Sequence, residues 1–229
     1  MPSFDYIKRN YEELSSEIEL LSQKAGNKVK LVAVTKSGSD EELVSLVSSG
    51  ARDIGENRPG ELKRRGELLL EKGFAPNLHE IGNLQRNKVK YIIERVSLIH
   101  SVDSIELARE IDKRASAIGR RVPVLLEINS AREEAKGGVM PSDALRLTEK
   151  IMGMQSLAFS GIMTMGPVCD NPEDIRPYFR LTKRLFDEIG ERYGYEGEGI
   201  LSMGMSDSYR VAIEEGSTLV RVGRRLFIN

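Results

Sequence analysis

The sequence has one cysteine, Cys169, no tryptophan, and only two histidines in 229 residues. A lone cysteine excludes an internal disulfide framework and fits a reducing compartment, so the cytoplasm is the expected location. His79 and His100 are too few and too isolated to build a metal site or a catalytic triad. Each is expected to be a hydrogen-bonded core residue, with His79 the closer of the two to a pocket. Charge of one sign is also missing. The 34 basic and 35 acidic residues leave a formal net charge of -1, so no global positive field recruits nucleic acid. No apolar run approaches the ~20 residues that cross a membrane. The opening Met1-Pro2-Ser3-Phe4-Asp5-Tyr6 lacks the basic-then-apolar order of a secretory signal.

What is present is ordinary soluble composition, 40% hydrophobic and 30% charged, in a chain long enough for one large barrel or two small domains. Phe4, Ile7, Tyr11, Leu14, Ile18 and Leu21 form an apolar stripe that predicts a helix over about 4–24, broken at Gly26-Asn27. A βα rhythm follows. Strands are expected at Leu31 to Val34, Asp53 to Glu56, Leu78 to Gly82, Ser97 to Val102, Val122 to Asn129, Leu157 to Met165, Ile200 to Gly204 and Leu219 to Phe227. The helices between them include one opened by a Ser39/Glu42 capping box, a charged surface helix from Arg58 to Glu71, and one from Leu84 to Arg95. A further helix is expected to be capped by Asp103 with Glu106, and others run from Ser142 to Met152 and from Ser208 to Glu215. Eight such units favour a closed (β/α)8 barrel with an extra N-terminal helix over an open doubly wound sheet. No linker divides residues 1–229, which read as a single domain.

In such barrels chemistry collects where the strands end. That edge gathers Lys36, Glu56 and Asn57, Gly82 and Asn83, Asn129, Met165, Ser206 and Asp207, and Arg221 with Gly223 and Arg224. A desolvated lysine amine is a nucleophile toward carbonyls, whereas a snorkelling lysine merely marks a strand end. Ser202-Met203-Gly204-Met205-Ser206-Asp207 has the look of a phosphate cradle, although Ser206 as a simple helix cap would also account for it. Arg221 alternates with apolar neighbours and requires a partner, either a ligand or a structural carboxylate. Met163, Met165, Met203 and Met205 are expected as barrel filling. Gly137-Gly138 is either an anion nest or a flexible connection. Lys136, together with Arg86, Lys88 and Lys90, is a candidate second phosphate site.

Seven segments in this order resemble the pyridoxal phosphate homeostasis proteins, relatives of the alanine racemase N-terminal barrel. They are Val32 to Lys36, Ile54 to Asn57, His79 to Lys88, His100 to Asp103, Gly161 to Met165, Leu201 to Asp207, and Gly216 to Gly223. The resemblance implies that Lys36 carries pyridoxal 5'-phosphate as an internal aldimine. It also implies that Ser206 and the backbone at Gly223 and Arg224 bind the phosphate, that Arg221 faces the pyridine nitrogen, and that Asn57 lies beside the ring. His79 and Met165 complete the expected cofactor-binding set. The chain departs from the family at Arg224, where a threonine is usual, and at Leu78, where an aromatic residue is usual.

Arginine at the ring nitrogen can only donate, which keeps that nitrogen unprotonated and the ring a poor electron sink. The expected role is therefore cofactor holding and delivery to apo-enzymes by a monomer, affecting amino-acid and keto-acid pools indirectly. A small racemase-like enzyme of the same cofactor is the alternative. The chain ends four residues after Arg225, leaving no room for the second domain that a racemase of this lineage uses. A cofactor-free Schiff-base aldolase is the third reading.

Overall fold

The computed structural model describes residues 4–133 and 137–228. Lys136, part of the candidate second phosphate site, lies outside the described residues. The strands are β1 (Lys30–Val34), β2 (Asp53–Glu56), β3 (Asn77–Glu80), β4 (Leu98–Val102), β5 (Val122–Glu127), β6 (Leu157–Met163), β7 (Ile200–Ser202) and β8 (Leu219–Val222). All pair in parallel with their sequence neighbours, and β1 pairs with β8, so the sheet closes. The expected eight-stranded barrel is the one observed.

The helices are α1 (Asp5–Ala25), α2 (Asp40–Ser48), α3 (Pro59–Glu71), α4 (Ile105–Ala117), α5 (Ala144–Met152), α6 (Arg176–Tyr193) and α7 (Tyr209–Glu214). Helix α1 ends as its sequence indicates: Gly26 takes a left-handed φ of 71° that a side chain would resist. The Ser39/Glu42 capping box at α2 forms in both directions.

Three local expectations fail. The last strand ends at Val222 rather than Phe227, and Arg224–Leu226 turn into a 3-10 segment after Gly223. Leu84 to Arg95 is not an α-helix. Its helical part is a 3-10 segment, Arg86–Tyr91, followed by turns. Val89, Ile92, Ile93 and Val96 are buried from this short wedge, so burial was the source of the helix-like spacing. At α4 the cap is Ser104, whose hydroxyl accepts from Leu107 N–H, rather than Asp103.

The main core lies between the strands and the helices, and a second apolar cluster of Val32, Leu98, Leu125, Met163 and Leu219 belongs to β1, β4, β5, β6 and β8. Residues two apart on a strand share a face. Leu219 is therefore followed by Arg221 and Leu125 by Glu127, all four buried. The barrel filling changes from apolar to charged as the strands rise toward their C-terminal ends.

Candidate functional site

Lys36 stands two residues beyond β1, exposed at the C-terminal mouth. Its backbone is tightly held. Thr35 to Gly38 form a turn in which Gly38 N–H donates to the Thr35 carbonyl at 2.9 Å. Arg65 of α3 reaches in from the side. Its Nη1 donates to the Thr35 carbonyl and to Glu56 Oε1, and its Nη2 to the Gly38 carbonyl, each at 2.6 Å. The Thr35 hydroxyl donates to the same Glu56 oxygen at 2.5 Å. A Cβ on Gly38 would come within 2.4 Å of the Phe227 ring, so that ring closes the remaining side. The backbone carrying the lysine is fixed while its four-carbon stem stays free.

Strand β8 delivers the neighbouring part of the site, because β1 and β8 are paired. Ser206 Oγ accepts from Gly223 N–H at 3.4 Å. A Cβ on Gly223 would lie 2.9 Å from the Val34 carbonyl, so glycine permits this close approach. Ser206 does not cap the helix after it. Helix α7 begins at Tyr209, and the hydroxyl engaged there is that of Ser208, which accepts from Met205 N–H at 3.1 Å. The Ser206 hydroxyl is engaged with Gly223, just after β8, instead, and a six-residue helix adds little dipole. Arg224 turns its exposed guanidinium to Asp207.

Arg221 is buried at the bottom of the mouth and, among the described residues, has no carboxylate in hydrogen-bond contact. Its Nη1 donates to Ser202 Oγ and its Nη2 to the Thr164 carbonyl at 3.0 Å. Burial lowers its pKa to about 10, which still leaves it charged at neutral pH; the field of Glu127 works the other way. On the far side of the mouth, burial raises Glu127 to about 7, Asp103 adds to the rise, and Arg221 opposes it. Burial likewise pushes Glu80 up to about 8 against the Gly82 N–H bond it accepts.

Asn57 follows β2 and is half-buried, its carbonyl only 2.2 Å from where a Cβ on Gly82 would lie. Met165 and Met205 are exposed after β6 and β7, whereas Met163 and Met203 are buried, so only the latter pair fills the interior as expected. His79 does not join the mouth. It pairs in register with Gly55 and Leu98, and both ring nitrogens are taken, by His100 and by Asp53 at the first residue of β2. The structure thus gathers Lys36, Asn57, Met165, Ser206, Arg221, Gly223 and Arg224 on the ends of the strands and leaves His79 lower in the barrel.

Arg65 and Thr164, for which no role is expected from sequence, hold Thr35 and Arg221; Glu56, expected at this edge, pairs with Arg65, and Ser202, expected in the cradle, accepts from Arg221. Arg65 had a readable signal. It lies three residues after Leu62 and four before Leu69, both buried, which puts it on the inward face of α3.

The profile of the family "Alanine racemase, N-terminal domain" matches residues 10–228. A pyridoxal phosphate homeostasis protein of Aquifex aeolicus is 41% identical over 222 residues, 94% of this chain and 96% of that one. A protein of Bifidobacterium adolescentis superposes with a TM-score of 0.88 at 35% identity, covering 98% of this chain and 95% of its own. PipY of Synechococcus elongatus, solved with PLP bound, gives a TM-score of 0.85 at 27% identity, over 97% of this chain and all of that one. No helix among the described residues is long and apolar enough to cross a membrane. With a parallel barrel closed by its first and last strands and relatives matched nearly end to end, the chain belongs to the alanine racemase N-terminal domain family, among its pyridoxal phosphate homeostasis proteins.

Proposed function

We propose that this protein binds pyridoxal 5'-phosphate and takes part in its homeostasis, holding and delivering the cofactor rather than turning over a substrate of its own. The observation that supports this reading is the pairing of β1 with β8, which runs the strand end that leads to Lys36 alongside the one that leads to Gly223 and Arg224. Residue types and shape fit the group. A primary amine stands at the rim, and the Ser206 hydroxyl and the Gly223 N–H, 3.4 Å apart, are donor groups of the kind that an anion takes. When bound, the cofactor supplies an aldehyde that condenses with primary amines with loss of water, and a ring that withdraws electrons.

In this reading Lys36 is the covalent anchor, and Ser206 with the Gly223 and Arg224 backbone holds the phosphate. Asn57 lines the ring, and Met165 forms part of the rim. Arg221 presents a donor to the ring nitrogen. A guanidinium there favours an unprotonated ring, which suits storage better than carbanion chemistry. Release to apo-enzymes, an indirect effect on amino-acid and keto-acid pools, a cytoplasmic setting and a monomeric single domain complete the proposal.

Borohydride reduction of the cofactor-loaded protein, followed by intact mass and peptide mapping, tests it. One reduced adduct on Lys36, lost in Lys36→Ala, is expected. An unchanged adduct in that variant would overturn the anchor. Amino-acid racemisation at enzyme-like turnover would overturn the carrier role.

A further inference from the structure

A chain of polar side chains runs through the barrel from Arg221 to Asp53. Arg221 Nη1 meets Ser202 Oγ, Ser202 Oγ lies 3.0 Å from His100 Nδ1, and His100 Nε2 lies 3.0 Å from His79 Nδ1. His79 Nε2 lies 3.0 Å from Asp53 Oδ1. Five residues on β8, β7, β4, β3 and β2 take part, with His100 and Ser202 fully buried and His79 and Arg221 nearly so. Asp53 opens onto a recess at the opposite end of the barrel, lined also by Tyr11, Ile18, Asn27 and Lys30.

The direction of every bond follows from the two ends. A guanidinium only donates, so Ser202 Oγ accepts from Arg221 and must send its own proton onward. Among the described residues the other partner of that hydroxyl is His100 Nδ1, which therefore accepts. The His100 proton then sits on Nε2 and is donated to His79 Nδ1. The His79 proton is likewise on Nε2 and is donated to Asp53, which as a carboxylate only accepts. Reversal would set two donors against Ser202 and leave its proton without an acceptor, and would aim a lone pair at Asp53. A cation at one end and an anion at the other polarise all four bonds in one sense.

We propose that Asp53, His79, His100 and Ser202 are positioning residues for Arg221, a one-way hydrogen-bond relay that fixes both histidine tautomers and holds the guanidinium in its orientation at the mouth. The part of this that concerns ligand binding rests on the reading above, in which Arg221 faces the cofactor ring. Asp53 therefore acts on the mouth without touching it.

The relay itself is tested without cofactor. The chain has two histidines, so nitrogen-15 NMR of the unloaded protein near pH 7.5 reads both rings without crowding. Two neutral Nε2–H tautomers are expected. An Nδ1–H tautomer, a positive ring or rapid averaging at either residue would overturn the relay. In loaded protein, Ser202→Ala and Asp53→Ala are each expected to weaken cofactor binding about fivefold, what one hydrogen bond is worth, and to shift the cofactor absorbance in the same direction. The double variant should cost no more than either alone, because both cut one chain. Asp53→Asn keeps a carbonyl oxygen at the accepting position and should restore native binding and absorbance. Additive losses, or a fall in thermal stability with the absorbance unmoved, would overturn the positioning role. Correct tautomers together with unaltered cofactor binding in both alanine variants would leave the relay standing and instead refute the placement of Arg221 against the ring.

Discussion

Arg65 lies on α3 and Thr35 just beyond β1, 30 residues earlier, yet the guanidinium of the first donates to the backbone carbonyl of the second at 2.6 Å. Thr35 immediately precedes Lys36, so a helix on the outside of the barrel holds the backbone that carries this lysine. Removing Arg65 also strands Glu56, a buried carboxylate whose ion pair measures 2.6 Å.

Arg65→Met is therefore expected to cost about 3 kcal/mol or more, the usual result of breaking one side of a buried pair. Arg65→Lys keeps a charge for Glu56 but cannot reach both carbonyls as a planar fork does, and should fall between the two. Urea denaturation measures the first effect. The yield of borohydride-reducible adduct on Lys36, lower in both variants, measures the second. Native adduct yield in a folded Arg65→Met protein would count against this role.

Gly82 and Gly60 make an opposed pair. A Cβ on Gly82 would meet the Asn57 carbonyl at 2.2 Å, and backbone cannot move aside as a side chain can, whereas a Cβ on Gly60 in α3 meets nothing within 4 Å. Gly82→Ala should lower stability by about 2 kcal/mol or more through overpacking. Gly60→Ala should raise it by up to about 1 kcal/mol, because a helix position gains a better helix former. Thermal melting of the two variants beside the native protein decides both signs.

Glu80 is fully buried, and its Oε2 has no hydrogen-bond partner among the described residues. Burial raises its pKa from 4.5 to about 8, so the folded protein binds a proton that the unfolded chain has lost. Its favourable contribution is present in full below pH 4.5 and drains away as the pH climbs toward 8, by at most about 1.4 kcal/mol per unit. Glu80→Gln keeps an oxygen for Gly82 N–H and removes the titration. The variant should match the native protein near pH 4.5 and exceed it increasingly up to pH 8. Parallel stability curves across that range would refute the assignment.

Glu17 titrates in the opposite sense. Burial pushes its carboxyl up, but hydrogen bonds from Arg210, Tyr209 and Arg225 outweigh this and bring it from 4.5 down to about 2. Its contribution is thus present above pH 4.5 and is lost as the pH falls toward 2. Glu17→Gln should lower stability at neutral pH and flatten the acid limb of the pH–stability curve. Chemical denaturation at pH 7, 4 and 3 checks this; a native acid limb in the variant would be the contrary result.

The barrel was readable because its evidence is repetitive. Apolar runs such as Leu31 to Val34 and Val122 to Glu127 alternate with amphipathic stretches, and local devices such as the Ser39/Glu42 box mark the joins. The rim residues were readable for the same reason, since a strand end is a sequence position. What escaped depends on contacts across the fold. Arg65 stands beside Lys63 and Arg64 in a run that resembles a solvated face, and Arg64 indeed pairs on the surface with Asp40 and Glu61. The Leu84–Arg95 segment carries helical spacing, but spacing records which residues are buried and not which backbone buries them. His79 reads from sequence as close to the strand ends because strand membership does not tell how far along the barrel a side chain sits. Its partners, Asp53 and His100, come from the neighbouring strands.

Glu17 also carries a consequence for the order in which this chain is made. The carboxylate on α1 hydrogen-bonds to Arg225, 208 residues later, and the first strand closes the sheet only against the last. A ribosome must therefore release nearly the whole polypeptide before either seam can form. The emerging chain can collapse early through neighbouring βα units, but its closure is a late, long-range event. During synthesis α1 waits with Ile7, Leu14 and Ile18, buried in the finished fold, still uncovered. That interval is when the nascent chain most needs protection from association with other chains.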